Sequence, residues 1–167
     1  MSGSMPAAIA TILERIALAL WVGGTAVLGG IVAPLLFKRL PSRALAGETF
    51  GEMLARFEIV RYVLSTMLVL ALFLRTESGQ SAGALWLRAI LVAALTSLSI
   101  YSGMVVAVKI QYFRSKIASF ETVSPDDPWK VKFDQHHRRA VRLMMIGLLL
   151  AVGLLLLPEA PVVSLPR

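Results

Sequence analysis

The stretch Ile12–Phe37, ILERIALALWVGGTAVLGGIVAPLLF, decides the fold. It runs apolar for longer than the roughly 20 residues that a bilayer core demands of a helix. It lacks the alternation of a barrel strand, and lipid tolerates only helices or closed barrels. It also resists reading as a cleaved leader. No basic cluster precedes it, only Glu14 and Arg15 together, and the run is too long for the apolar part of a signal peptide. It reads as a retained transmembrane helix.

Three further runs have similar character: Phe57–Leu74, Ala84–Val108 and Ala140–Leu157. They predict an all-α fold, an integral membrane four-helix bundle forming one transmembrane domain over residues 1–167, with helices near 12–37, 57–74, 84–108 and 140–157. The composition agrees. Of 167 residues 57% are hydrophobic and 16% charged, and the mean hydropathy is +0.74. A soluble domain of this size could not cover so much apolar side chain.

The net charge of +7 is explained by topology rather than by nucleic acid, which is not expected as a partner. Thirteen basic residues fall in loops one and three: Lys38, Arg39, Arg43, Arg56 and Arg61, then Lys109, Arg114, Lys116, Lys130, Lys132, Arg138, Arg139 and Arg142. Only Arg15, Arg75, Arg88 and Arg167 fall on the other side. The positive-inside rule then puts loops one and three in the cytoplasm and both termini outside it, as expected of a bacterial inner-membrane protein.

The loops carry structure of their own. After Pro41, Ser42 is a helix cap, and Ala46, Phe50, Met53, Leu54 and Phe57 recur on one face. They predict an interfacial amphipathic helix on the membrane surface before helix two, bending at Gly47 and Gly51. Loop three is expected to be helical, since Val106, Ile110, Phe113, Ile117 and Phe120 continue the spacing of helix three. Asp127 followed by Pro128 then reads as a cap and first-turn proline, starting helix four outside the bilayer.

Within helix one, Ala19, Gly23, Ala26, Gly30 and Ala33 fall on a single stripe of small residues. Such a stripe lets another backbone approach closely, either within the bundle or across a homo-oligomer. Packing within the bundle predicts that bulk at Gly23 or Gly30 costs more than at Gly29. Pro34 cannot donate to the Gly30 carbonyl, so a kink is expected there.

The candidate site is a polar ring at the cytoplasmic end. Helix two supplies Glu58, Arg61, Tyr62 and Ser65 at helical spacing, helix three Tyr101 and Lys109, and helix four His137, Arg138 and Arg142. Ionisable groups at membrane depth face a bundle interior or a wet cavity. One reading is a pocket for an anionic lipid headgroup or small anion. The other pairs Glu58 with Arg61 and lets the remaining arginines reach lipid phosphates separately.

Nothing in the sequence points to catalysis or to a cofactor. Cysteine is absent, and no phosphate loop or nucleophile elbow occurs. His136 and His137 are adjacent and so point about 100° apart on a helix, unable to ligate one metal together. Asp134 or Met144 would have to help, and the seven methionines read as packing. A non-enzymatic scaffold or a lipid- or small-molecule-binding bundle is expected; an oligomeric small transporter or channel subunit is the alternative.

The stretch LWVGGTAVLGGIVAPLLFKRLPSRALAGETFGEMLARF, Leu20–Phe57, resembles the transmembrane protein 205-like family. The glycine-rich first helix, Ala33-Pro34-x-x-Phe37 and Ala46-Gly47-x-x-x-Gly51 carry the likeness, with Phe133-x-x-x-His137 as a second match. Ala140 stands where the family pattern suggests a small hydroxyl residue. The resemblance implies a four-helix membrane topology and no established activity.

Overall fold

The computed structural model describes residues 4–76 and 82–158. Arg167, counted above for orientation, lies outside the described residues. The chain folds into four long helical rods. The first comprises α1 (Ser4–Val27), a π-helical turn π1 (Leu28–Val32) and α2 (Ala33–Arg39). The second is α3 (Arg43–Thr76). The third joins α4 (Ala82–Tyr101), a second π-helical segment π2 (Ser102–Ala107) and α5 (Val108–Ser115). The fourth is α6 (Pro128–Leu155).

Met5–Arg39, Arg43–Thr76 and Ala82–Ser115 are each long and apolar enough to cross a bilayer. The apolar half of α6 packs beside them and completes a four-helix membrane-spanning bundle. Each of α1 and α4 packs against both α3 and α6, so the rods stand in the cyclic order α1, α3, α4, α6 with neighbours antiparallel. Leu18 and Trp21 of α1, Leu64 and Leu68 of α3, Val92 and Leu95 of α4, and Ala151 and Leu154 of α6 form the buried core.

Pro34 leaves its mark one turn earlier. The chain accommodates the missing donor by widening Leu28–Val32 into a π turn, in which the Ala33 N–H reaches back to the Leu28 carbonyl. The predicted start of the fourth rod is met in detail. Asp127 Oδ1 accepts from the Trp129 and Lys130 amides at 2.8 and 3.1 Å, with Pro128 in the first turn.

Two expectations about the loops are corrected. No separate surface helix precedes helix two: α3 is continuous from Arg43 and passes Gly47 and Gly51 without a break. The Ser42 hydroxyl caps it by accepting from the Leu45 amide. The lead-in packs on protein instead of lying flat, against α2 and beneath Arg114, which donates to the Ala44 carbonyl at 2.9 Å. The helical part of loop three ends at Ser115, so Ile117 lies in irregular chain and Phe120 in a turn. Phe120 still packs on Phe133, with ring centroids 5.0 Å apart.

The small-residue stripe is also corrected. Ala19, Gly23, Ala26 and Gly30 are exposed on the outside of the bundle and Ala33 is half-buried. A Cβ at Gly23 or Gly30 would meet nothing within 4 Å. The face of α1 that packs inward carries Ala10, Glu14, Ala17, Leu18, Trp21 and Thr25. Leu18 and Trp21 with a few polar groups share this inward face with Ala10 and Ala17, and the glycine-rich stripe is left to face outward.

Two charged layers and a candidate anion groove

The bundle has a charged layer near each end, and the sequence reading anticipated only one. Near the chain termini Glu14, Arg75 and Arg88 are buried, at 7%, 1% and 3% exposure. Arg75 Nε donates to Glu14 Oε2 at 2.9 Å, and Arg88 Nη1 donates to Glu14 Oε1. Arg75 Nη2 also reaches Thr11 Oγ1 at 3.3 Å. Arg88 Nη2 donates to the carbonyls of Leu157 and Pro158, at 3.4 and 2.8 Å, just past the end of α6. One carboxylate and two guanidiniums thereby join all four rods. Counting Arg75 and Arg88 as loop charges hid this. The available signal was Glu14, the one acid of the first helix, which needs a partner at that depth.

The second layer lies roughly 25 Å along α3 from Arg75, at the rise of an α-helix. Here Glu58 pairs with Arg61 one turn on, both side chains largely buried, and Ser99 Oγ donates to Glu58 Oε1 at 2.8 Å. The Arg61 guanidinium lies over the Trp21 ring, 5.6 Å from its centroid. π2 approaches this pair closely. A Cβ at Gly103 would overlap the Tyr62 hydroxyl and sit 2.8 Å from Glu58 Cγ, so any larger residue must push both side chains aside. Likewise a Cβ at Gly24 would strike the ring of Phe57.

The remaining members of the predicted ring do not join that pair. Tyr101 is half-buried beneath the Arg139 guanidinium, at 5.3 Å. Lys109 and Arg138 are exposed. His137 is exposed and stacks on Phe133 at 6.0 Å and 9°. Arg142 faces outward into a groove of about 490 Å³ on α6, shared with Gln135, His136, Arg139, Leu143 and Ile146. The ring therefore resolves into a buried ion pair and a separate open basic groove. Of the groove, only Arg142 was among the candidates.

The groove has an amphipathic build. Arg139, Arg142 and His136 occupy its polar end, and Leu143 and Ile146 continue it toward the membrane-spanning half of α6. His136 is fixed by Nδ1, 2.9 Å from the Lys132 carbonyl, and by the Phe113 ring at 5.0 Å. Helical rise places Arg139 and Arg142 roughly 22–27 Å from Leu157, near the far boundary of a bilayer core about 30 Å thick. Among the described residues no group of three or more acidic, histidine or cysteine side chains converges as a metal site would require.

No curated protein and no solved structure matches the chain. One family model does, over residues 16–116, which spans the first three rods and stops short of Phe133 and His137. That match covers more than half of the chain, including the whole Leu20–Phe57 stretch on which the resemblance rested. On this ground the chain belongs to the family described as a domain of unknown function, DUF4149.

Proposed function

We propose that this protein is a non-enzymatic membrane bundle that binds anionic phospholipid at the α6 groove, on the cytoplasmic side. The observation that carries the reading is the arrangement of two arginines and a histidine above Leu143 and Ile146 in one open groove. A phosphate would take charge-assisted hydrogen bonds from Arg139 and Arg142 while an acyl chain follows the apolar part. The two long side chains can reach headgroup depth with their stems on apolar surface. A packed core between the two charged layers leaves no polar path along the axis of one chain, which speaks against a single-chain conduit.

The test is native mass spectrometry from nanodiscs containing phosphatidylglycerol or phosphatidylcholine. Retention of the anionic lipid that falls at least several-fold in Arg139→Gln/Arg142→Gln, but not in Lys109→Gln, supports the groove. Equal retention in all three rejects it.

A second reading, an oligomeric transporter subunit, draws support from the outward-facing Ala19, Gly23, Ala26 and Gly30. Liposome flux that depends on oligomer formation would favour it.

A further inference from the structure

A small void sits on the bundle axis at the level of the Glu58–Arg61 pair. Its volume is about 10 Å³, and all four rods line it: Trp21 from α1, Arg61 from α3, Leu95, Leu98 and Ser99 from α4, Ser102 from π2, and Leu143 and Gly147 from α6. A void of roughly 10–15 Å³ is the smallest that holds one water, and a water stays only where two to four polar groups receive it.

Those groups are present. Arg61 Nε is buried without a hydrogen-bond partner in the protein. A buried donor left unmet costs about 1–3 kcal/mol, and more when it belongs to a charged group. The Ser99 and Ser102 side chains line the same space, and Ser99 already donates to Glu58, which leaves its oxygen lone pairs able to accept. Three more side-chain oxygens, of Thr25, Ser65 and Thr96, are buried without partners. Each lies one helical turn from a residue that lines the void, namely Trp21, Arg61 and Ser99.

We propose that this void is a binding site for a single ordered water, which accepts from Arg61 Nε and donates to the hydroxyl oxygens of Ser99 and Ser102. Charge selects water over a small anion. The Arg61 cation is already neutralised by Glu58, so the site offers no net charge to hold a halide against the cost of its dehydration. The Leu64, Leu68, Val92 and Leu95 side chains close the bundle toward the Glu14 layer, so the water exchanges with the Glu58 end. The water completes the shell of an ion pair that membrane burial would otherwise leave short of partners.

The test turns on a sign. A Cβ at Gly147 would enter ordinary contact with Leu98 Cδ2 at 3.4 Å and Leu95 Cδ1 at 3.9 Å, both on the void wall. Gly147→Ala therefore adds a methyl group at the wall of the void. Gly153→Ala, in the same helix with open space at its Cβ, reports the gain in helix propensity alone. If the site holds water, Gly147→Ala lowers the melting temperature in detergent below that of Gly153→Ala. If it is a dry apolar gap, filling it raises the melting temperature to that of Gly153→Ala or above, and the proposal is overturned. A second measurement does not depend on that variant folding. In a Trp86→Phe/Trp129→Phe protein the remaining Trp21 abuts the void. Its emission after full equilibration should be stronger in D2O than in H2O; equal emission rejects the water.

Discussion

Glu14 and Arg88, 74 residues apart in sequence, meet through Glu14 Oε1 and Arg88 Nη1 in a buried ion pair at one end of the bundle. The Glu14 carboxylate gives its other oxygen to Arg75, and Arg88 spends its second terminal nitrogen on the carbonyls that end the fourth rod. The contact fixes the depth at which α1, α3 and α4 stand relative to each other. Arg88 also ties down the chain just past the end of α6, through the Leu157 and Pro158 carbonyls.

Breaking that contact from one side should be severe. Glu14→Gln removes the carboxylate that Arg75 and Arg88 share, for which a loss of about 3–5 kcal/mol is expected, whereas Arg88→Gln leaves Glu14 paired with Arg75 and should cost less. Replacing both together should cost less than the two single losses added, because once Glu14 is neutral Arg88 has no ion pair left to lose. Thermal unfolding in detergent measures this, and additive losses would mean that the two residues act independently.

The glycines divide by the face they occupy. Gly103→Ala must displace the Tyr62 hydroxyl and the Glu58 side chain, and should destabilise by about 1–3 kcal/mol, as overpacking does. Gly23→Ala and Gly30→Ala meet open space and should leave the monomer at least as stable, through helix propensity. Gly29→Leu, next to Met144 Cε at 3.6 Å, should cost more than Gly30→Leu. That order reverses the one the stripe of small residues suggests, and the opposite result would restore the stripe as the packed face.

That four helices form the bundle was legible because lipid imposes length and apolarity on any spanning segment. The Asp127–Pro128 start was legible because a cap is a local matter. The side of α1 that faces inward was not. In water an amphipathic pattern marks the buried face, but in lipid both faces are apolar, and Gly23 and Leu18 look equally fit for the interior. The Glu14–Arg75–Arg88 contact escaped for a related reason. Charges close to a span's end look like loop charges until the tertiary structure turns them toward one another. Arg139 and His136 were passed over because a groove is a property of a surface, not of spacing.

Orientation is open to a direct check. With thirteen basic residues in loops one and three, a periplasm-active reporter fused after Arg167 should be active, and a cytoplasm-active one silent. Single cysteines placed at Ser119 or Glu121, in a chain that has none of its own, should react with an impermeant maleimide only after the cells are opened. Labelling of these sites in intact cells would invert the topology and move the α6 groove to the other face of the membrane.

The last prediction separates the two halves of the polar ring. Glu58 is bonded to Arg61 and Ser99 inside the bundle, whereas Arg142 opens onto the groove with Arg139. Among the described residues no hydrogen bond or ion pair joins them, and separated sites that share no partner add in their effects to within roughly 0.3–0.5 kcal/mol. A double-mutant cycle on Glu58→Gln and Arg142→Gln, read by thermal unfolding, should therefore close without a coupling energy. The two variants should also differ in kind. Glu58→Gln strands the largely buried Arg61 cation and should lower stability with or without phosphatidylglycerol. Arg142→Gln removes an exposed charge and should leave the lipid-free protein nearly unchanged, within about 0.5 kcal/mol. It should abolish most of the rise in melting temperature that the anionic lipid confers on a protein binding it in the folded state. Strong coupling in the cycle, or a lipid response lost in Glu58→Gln alone, would mean that one pocket joins the two residues after all.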